Sequence, residues 1–235
     1  MSKKISLRKG KMIQINAIFQ LLLVIFLSVT VFGSMIKFTL NFKVWYYTEI
    51  YYLGIEKQSN LEKEEIMKNY NYVIDYLQNK EKEDFNLPSL PSSENGKIHF
   101  KEVKNIFLIL ERILWTTLTL SIFGIYIQCK KKEFNFIKQV SNMLCITPSI
   151  LILIFIINFD TSFTIFHKIF FRNEYWIFNP NTDPIIRLLP QEFFLHSALM
   201  ILILCIMSGV LLRIIYEKNF KIDNRVIKKH SNLCS

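Results

Sequence analysis

Two histidines, His99 and His167, are the residues of this sequence whose type and placement can support acid–base chemistry. An imidazole takes up and returns a proton near neutral pH, so a pair of them can act as base and acid in one reaction. Each lies beside an end of a long apolar block. His196, inside another block, is interpreted as a packed or hydrogen-bonded side chain, and His230 as a solvated residue of the tail. From spacing alone, a catalytic pair and two unrelated surface histidines are both open hypotheses.

Four apolar blocks must position these histidines. No Asp, Glu, Lys or Arg occurs between Lys11 and Lys37, Arg112 and Lys130, Lys138 and Asp160, or Glu192 and Arg213. A helix needs about 20 apolar residues to cross the core of a bilayer, so we predict four transmembrane helices at about 12–34, 106–128, 139–159 and 193–215. A cleaved signal peptide is the alternative for the first block. Its apolar run exceeds the roughly 7–15 residues usual in such peptides, which favours a retained helix.

The distribution of charge predicts how these helices are oriented. The net charge is +10, and the N-terminus, the loop between the second and third blocks, and the tail carry five, four and six Lys or Arg residues. The segments at about 35–105 and 160–192 have no such excess. Because basic segments stay in the cytoplasm, we expect both termini inside and these two segments outside. The basic patches indicate topology and contact with membrane phospholipids, and nucleic acid is not an expected partner.

The outer segments contain helix signals of their own. Ser59 and Glu62 fit a capping box, and the helical spacing of the apolar residues that follow predicts an amphipathic helix from about Leu61 to Asn79. A turn-rich stretch that includes Gly96 then leads into a helix beginning near His99. In the second outer segment, an Asp-Pro pair has the pattern of a helix N-cap followed by proline in the first turn.

Several other chemistries are not indicated. The four cysteines include no CxxC pair and none lies in an outer segment, so neither a disulfide framework nor a zinc site is expected. No Gly-rich phosphate loop, GxSxG or HExxH motif occurs. We therefore expect no metal and no cofactor. The predicted fold is one all-α polytopic membrane domain over residues 1–235, with four transmembrane helices and two extracytoplasmic segments carrying short amphipathic helices.

A combination of motifs surrounds the two histidines. The stretch EEIMKNYNYVIDYLQ…GKIHFKEVKNIF contains HFxEVK at His99, and FHKIFFRNEYWIFNPNTDPIIRLLPQEFF opens with FHxxFF at His167. These stretches resemble the bacterial lipoprotein intramolecular transacylase family, and the similarity covers nearly the whole chain, including four membrane helices in the same order. The resemblance implies a multi-pass enzyme of the bacterial cytoplasmic membrane, with its active site on the outer face and diacylated lipoproteins as substrates.

The resemblance also implies an activity. In that family the sn-2 acyl chain of a diacylglyceryl-modified N-terminal cysteine moves to the α-amino group of the same cysteine, which gives a lyso-form lipoprotein. The family's two essential histidines match His99 and His167, and either one can be the base and the other the acid. No oligomeric state is implied. Two alternatives stay open, namely another membrane lipid acyltransferase or hydrolase, and a non-catalytic four-helix membrane adaptor.

Further residues in and near these motifs are candidates for supporting or substrate-binding roles: Asn69, Tyr70, Glu102, Asn173, Trp176, Asp183 and Arg187. Glu102 either orients His99 or is a solvated carboxylate at the start of a helix. Asp183 either orients His167 or caps the helix that follows it. Arg187 either contacts the glyceryl or peptide portion of the substrate or pairs with Asp183 or Glu192. Asn69, Tyr70, Asn173 and Trp176 are candidates for shaping the pocket, and packing is the alternative for Tyr70 and Trp176.

Overall fold

The computed structural model describes residues 2–219, with side chains from Gln14 onward. All regular structure in this range is helical, which confirms the all-α class. In chain order the helices are α1 (Ser2–Asn41), α2 (Lys43–Tyr52), α3 (Ile55–Ser59), α4 (Lys63–Gln78), α5 (Glu94–Lys131), α6 (Asn135–Ile157), α7 (Phe159–Phe170), α8 (Ile185–Leu188) and α9 (Gln191–Asn219). The basic side chains before Gln14 and most of the basic tail, with His230, lie outside the described residues.

Four of these helices are long and apolar enough to span a bilayer: Gln14–Asn41 within α1, and the whole of α5, α6 and α9. Many of their large apolar side chains face outward, and Ile122, Phe123 and Leu153 are each 61% exposed. Helices that are apolar on their outer faces are stable in lipid, where every backbone polar group is satisfied within the helix. The polytopic membrane fold predicted from the charge-free blocks is therefore confirmed.

Among the described residues, one compact unit comprises 2–33, 114–149 and 203–219. Its core contains Leu23, Val24, Phe136, Val140 and Leu144. Polar contacts also join its helices. The hydroxyl of Thr30 donates to that of Thr117 at 3.0 Å, and the amides of Asn16 and Gln20 donate to the Glu133 carboxylate at 2.9 and 2.8 Å. Thr30 and Thr117 are buried, so their contact satisfies hydroxyl groups that would otherwise be costly inside an apolar bundle.

The other compact unit comprises Ser34–Ile113 and Ile150–Leu202, and it contains both histidines of interest. Aromatic and branched side chains from α2, α3, α4 and α8 form most of its core. Tyr46 lies at the centre, with its ring stacked on Tyr70 at 3.6 Å between centroids and its hydroxyl donating to the Leu188 carbonyl at 2.8 Å. These contacts fix α8 against α2 and α4.

α4 is the amphipathic helix predicted in the first outer segment, and its apolar stripe is buried: Ile66, Tyr70, Val73, Ile74 and Leu77. The predicted capping box is wrong. The Ser59 hydroxyl donates to the Ile55 carbonyl at 2.7 Å, because Ser59 ends α3 instead of preceding α4. Glu62 is the N-cap residue of α4 and makes no side-chain capping bond.

α5 begins earlier than the sequence indicated. The Ser93 hydroxyl accepts from the Gly96 N–H at 3.0 Å, which is a side-chain cap of the first turn. The helix therefore starts at Glu94, and Gly96 belongs to it instead of to the preceding turn. This earlier start puts His99 in the second turn, where the helical backbone fixes its direction.

Candidate active site

His99 is held in a buried position on α5, with its side chain 6% exposed. Two aromatic rings pack edge-on against it: Phe171, with centroids 4.7 Å apart and planes inclined by 61°, and Phe178, at 5.4 Å and 76°. Its Nδ1 atom is buried and has no hydrogen-bond partner among the described residues. Buried polar atoms are nearly always paired, so this nitrogen is available to a bound group.

His167 lies near the end of α7, which begins where the Asn158 side chain accepts from the Thr161 N–H at 2.9 Å. The His167 Nδ1 is 2.7 Å from the Phe163 carbonyl oxygen. Because a carbonyl can only accept, Nδ1 carries the proton and Nε2 is free to accept one. Burial lowers the pKa of His167 from its ordinary value, and the hydrogen bond to Phe163 opposes this in part by raising it. The neutral ring is therefore favoured near neutral pH.

The fold brings His99 and His167 together, with their ring centroids 6.1 Å apart and their planes tilted by 32°. Trp176 stacks on His167 at 4.7 Å. Phe171 contacts both imidazoles, at 4.7 Å from His99 and 5.6 Å from His167. The two histidines thus share one aromatic enclosure.

Asn173 organises the loop that follows α7. Its Nδ2 donates to the Glu102 carboxylate at 2.8 Å, and its Oδ1 accepts from the Tyr175 N–H at 3.0 Å. Its backbone carbonyl accepts from the Trp176 indole N–H at 3.2 Å. These three bonds connect the loop to α5 and hold the indole against His167.

Glu102 lies one turn after His99 on α5, yet its carboxylate turns toward the loop. Asn173 donates to one oxygen, and the other, Oε2, is buried with no partner in the described part of the chain. The predicted orienting contact, in which the His99 ring would donate to Glu102, is not formed among these residues. The alternative of a solvated carboxylate is also wrong for Oε2, because that atom is buried.

Asp183 joins the second outer segment to the start of α5. Its side chain is 3% exposed, and its two carboxylate oxygens accept from the Ser93 N–H and the Thr182 hydroxyl, each at 2.8 Å. A Cβ at Gly96 would overlap this carboxylate, so the close approach requires glycine. Both predicted roles are corrected, since the carboxylate makes no hydrogen bond to His167 in the described residues and α8 has no side-chain cap.

Three other candidates do not join the histidine pair. Asn69 is fully buried and donates to the Ser89 hydroxyl at 2.7 Å, which anchors the loop after α4. Tyr70 packs in the core of the outer segment against Tyr46, and burial raises the pKa of its phenol. Arg187 lies on α8 and makes no ion pair within the described part of the chain, so the predicted carboxylate partner is not found.

The residue types alone did not indicate that three phenylalanines contact the histidine pair. The Phe163 carbonyl sets which nitrogen of His167 is protonated, and Phe171 and Phe178 enclose His99. One signal was available for two of them. Phe163 and Phe171 lie four residues before and four after His167, a spacing that favours the same face of a helix.

His196 makes a separate contact with a carboxylate. Its Nδ1 lies 2.9 Å from Oε2 of Glu49, which is 4% exposed. The prediction of a packed or hydrogen-bonded histidine is confirmed, and the Tyr52 ring packs beside it at 5.7 Å. This pair stabilises α2 against α9 within the same compact unit.

A polytopic membrane fold with one buried and one half-buried histidine, whose ring centroids are 6.1 Å apart, defines the class: a membrane-integral enzyme suited to acid–base chemistry. Residues 21–194 match the family described as lipoprotein intramolecular transacylase Lit. The chain belongs to this family and is an acyltransferase. The resemblance inferred from the motifs is therefore confirmed, and membership favours an acyltransferase over a non-catalytic adaptor.

Solved structures agree with this assignment. The in meso structure of the membrane integral lipoprotein intramolecular transacylase Lit from Bacillus cereus is 33% identical, with a TM-score of 0.83, over 93% of this chain and 98% of that one. A variant of that protein with histidine replaced by arginine is 31% identical, with a TM-score of 0.81, over the whole of both chains. A histidine-to-alanine variant is 32% identical, with a TM-score of 0.83, over 93% of this chain and 99% of that one. No curated protein matches the sequence.

Proposed function

We propose that this protein moves the sn-2 acyl chain of a diacylglyceryl-modified N-terminal cysteine to the α-amino group of the same cysteine, with His99 and His167 as the proton carriers. The observation that carries the proposal is the separation of 6.1 Å between two imidazoles in one aromatic enclosure. Two rings this close can both reach the reacting atoms of a single substrate. Membership of the transacylase family supports the choice of acyl transfer.

Starting from the ammonium form of the N-terminus, the reaction removes two protons from the nitrogen and returns one to the glycerol oxygen. An α-amino group has a pKa of about 7.7–8.0, so it is largely protonated at neutral pH and must lose a proton before it attacks. The neutral amine nitrogen forms a bond to the ester carbonyl carbon, and the bond from that carbon to the glycerol oxygen breaks. The nitrogen then gives up one proton and the glycerol oxygen takes one. One proton is released to solvent, and no external nucleophile is needed.

The two imidazoles divide these proton transfers between them. His167 is favoured in its neutral form, and its Nε2 can accept because Nδ1 is engaged with Phe163. His99 offers a buried Nδ1 that has no partner in the described chain. One ring takes the proton of the amine, and the other returns a proton to the glycerol oxygen. An imidazolium beside the ester also stabilises the developing oxyanion.

Alignment supplies much of the remaining rate enhancement. The donor ester and the acceptor amine belong to one molecule, so the enzyme has only to hold them in a reactive arrangement. Trp176, Phe171 and Phe178 enclose the imidazoles and reduce access of water. An enclosure of this kind favours attack by the bound amine over hydrolysis. The alternative of a lipid hydrolase is correspondingly disfavoured.

We propose that the site faces the outer side of a bacterial cytoplasmic membrane and that both termini are cytoplasmic. The support is the basic excess at the termini and in the loop between α5 and α6. Diacylated lipoproteins, anchored among phospholipids by their acyl chains, would reach the site from the outer leaflet. Asn173, Asp183 and Trp176 position the pair, and Arg187 is the candidate contact for the glyceryl or peptide portion.

The test is conversion of a synthetic diacylated lipopeptide by the purified full-length protein. The product of transacylation has the same mass as the substrate, so fragment-ion spectra must locate the moved acyl chain on the N-terminal nitrogen. Hydrolysis would instead release a fatty acid and lower the mass of the peptide. General acid–base groups contribute about 10²–10⁴-fold, so His99→Ala and His167→Ala should each slow conversion by about that factor.

His196→Gln is the matched control, because it replaces a histidine outside the pair with a side chain that can still hydrogen-bond to Glu49. Its conversion rate should remain close to that of the wild type. Release of fatty acid by the wild type would refute the transacylase proposal. Near wild-type conversion by either alanine variant would refute the role of that histidine.

A further inference from the structure

Two buried polar atoms at the proposed reaction centre have no hydrogen-bond partner in the described chain: Nδ1 of His99 and Oε2 of Glu102. The two residues are three positions apart on α5, so they lie on the same helix face with Cβ atoms about 5–6 Å apart. Most buried polar groups in folded proteins are paired. Two unpaired atoms one turn apart therefore indicate a ligand that donates hydrogen bonds to both.

The carboxylate of Glu102 limits which kind of ligand can bind to these two atoms. Its other oxygen accepts from a neutral donor, the Asn173 amide, at 2.8 Å. None of the ion pairs in the described part of the chain includes Glu102. Burying a carboxylate without a cationic partner is costly, so the absent partner is a positively charged hydrogen-bond donor.

We propose that Glu102 Oε2 and His99 Nδ1 together bind the α-ammonium group of the substrate's N-terminal cysteine. The inference rests on the proposed function, because it specifies how the same site recognises its acyl acceptor. An ammonium group is compact and carries three N–H donors, so one can go to each unpaired atom. Asn173 keeps the carboxylate turned so that Oε2 remains free for this contact.

This arrangement also determines which group accepts the first proton from the ammonium. An N–H proton of the bound ammonium passes to Nδ1 of His99, and the electron pair of that N–H bond stays on nitrogen. That pair then forms the bond to the ester carbonyl carbon. As the bond from that carbon to the glycerol oxygen breaks, a second proton passes from the nitrogen through Nε2 of His167 to the departing glycerol oxygen, and His99 afterwards releases its proton to solvent. The Glu102 carboxylate stabilises the imidazolium one turn away. Glu102 is thus a specificity-determining residue that selects substrates with a free amino terminus.

The experiment compares two ligands. A diacylated lipopeptide with a free α-amino group and its N-acetylated counterpart are titrated against the full-length His167→Ala variant, in which slow turnover leaves binding measurable. A hydrogen bond to a charged group should give a preference of about 10- to 100-fold for the free amine. Adding Glu102→Gln should abolish the preference, since glutamine can keep the Asn173 contact but carries no charge.

Glu94→Gln is the matched control, because it removes an exposed carboxylate from the same helix, and the preference should survive it. Melting temperatures of all variants report folding. Equal binding of the two ligands by a folded protein that retains Glu102 would overturn the inference, as would a preference that survives Glu102→Gln.

The same ligands separate this inference from the proposed function. If the wild type transfers the acyl chain but shows no preference, the ammonium site is wrong and the transacylase proposal stands. If the preference holds while the wild type releases fatty acid or leaves the substrate unchanged, the ammonium site stands and the transacylase proposal is wrong.

Discussion

Gly96→Ala should destabilise this protein, although alanine is the better helix former. Gly96 lies in the first turn of α5, and in an exposed helix its replacement by alanine gains up to about 1 kcal/mol. Here the added Cβ would overlap the Asp183 carboxylate, which holds the Ser93 N–H at 2.8 Å. Asp183 is 3% exposed, so its carboxylate has little room to move and the bond is lost.

The size of the effect follows from these opposing contributions. A hydrogen bond to a charged group contributes about 1.5–3 kcal/mol. After the gain in helix propensity is subtracted, the free energy of unfolding should fall by about 1–2 kcal/mol. For a chain of this size, that loss lowers the melting temperature by roughly 2–8 °C. Conversion of lipopeptide should slow as well, because His99 follows Gly96 by one turn of the same helix.

A double-mutant cycle provides the assay. Melting temperatures of the purified protein in detergent are compared for Gly96→Ala, Asp183→Ala and the double variant. With Asp183→Ala already present, the second change should be neutral or stabilising, because the smaller side chain leaves room for the Cβ. Gly33→Ala is the control, since its Cβ would meet its nearest neighbour at an ordinary 3.5 Å. An undiminished melting temperature for Gly96→Ala alone, or an equal loss in both backgrounds, would refute the steric argument.

Three further outcomes are expected. Burial holds the pKa of His167 below 6.5, so kcat should be constant near neutral pH and fall only below pH 6.5. Trp176→Ala exposes this ring and should shift the decline in kcat toward higher pH. The pH profile of conversion checks both outcomes. Asn173→Ala removes two side-chain hydrogen bonds of the loop, so kcat in steady-state assays should fall about 10- to 100-fold, and an unchanged kcat would contradict its positioning role. Tyr46→Phe leaves the Leu188 carbonyl unpaired, which should cost about 1 kcal/mol in thermal melting, whereas an unaltered melting temperature would exclude a stabilising bond there.

The membrane fold could be predicted because its signals are local. The charge-free run between Lys11 and Lys37 is as long as a bilayer is thick, and no distant residue can change that requirement. The buried stripe of α4 was equally accessible, since the positions of Ile66, Tyr70 and Val73 share one helix face whatever packs on them.

Hydrogen bonds between distant residues could not be read in the same way. Asp183 was assigned to its own helix or to His167, whereas its partner Ser93 is 90 residues away. Gly96 was interpreted as part of a turn, because a glycine required for close approach and a glycine required for a turn look alike in sequence. Ser59 matched a capping box, but the Ile55 carbonyl competed for its hydroxyl.

The candidate site also combines features that the sequence predicts with features that it does not. The predicted topology and the two motifs place His99 and His167 on the same side of the membrane. They do not predict a contact between the two side chains. The tautomer of His167 depends on a backbone carbonyl, that of Phe163, and a backbone atom leaves no trace in residue types. The unpaired oxygen of Glu102 likewise results from how the loop folds back onto α5, which residue types do not indicate.

The helix that carries His167 has a consequence for the setting in which the enzyme works. α7 has no buried residue, and Ile165, Phe166, Ile169 and Phe170 are 48–70% exposed. An apolar surface of this kind is covered by acyl chains when the protein is in a bilayer. The surrounding lipid therefore forms one wall that keeps His167 opposite His99. We expect turnover to vary with bilayer thickness and fluidity, so that a cell adjusting its fatty acids to temperature would also adjust the rate at which its lipoproteins are remodelled.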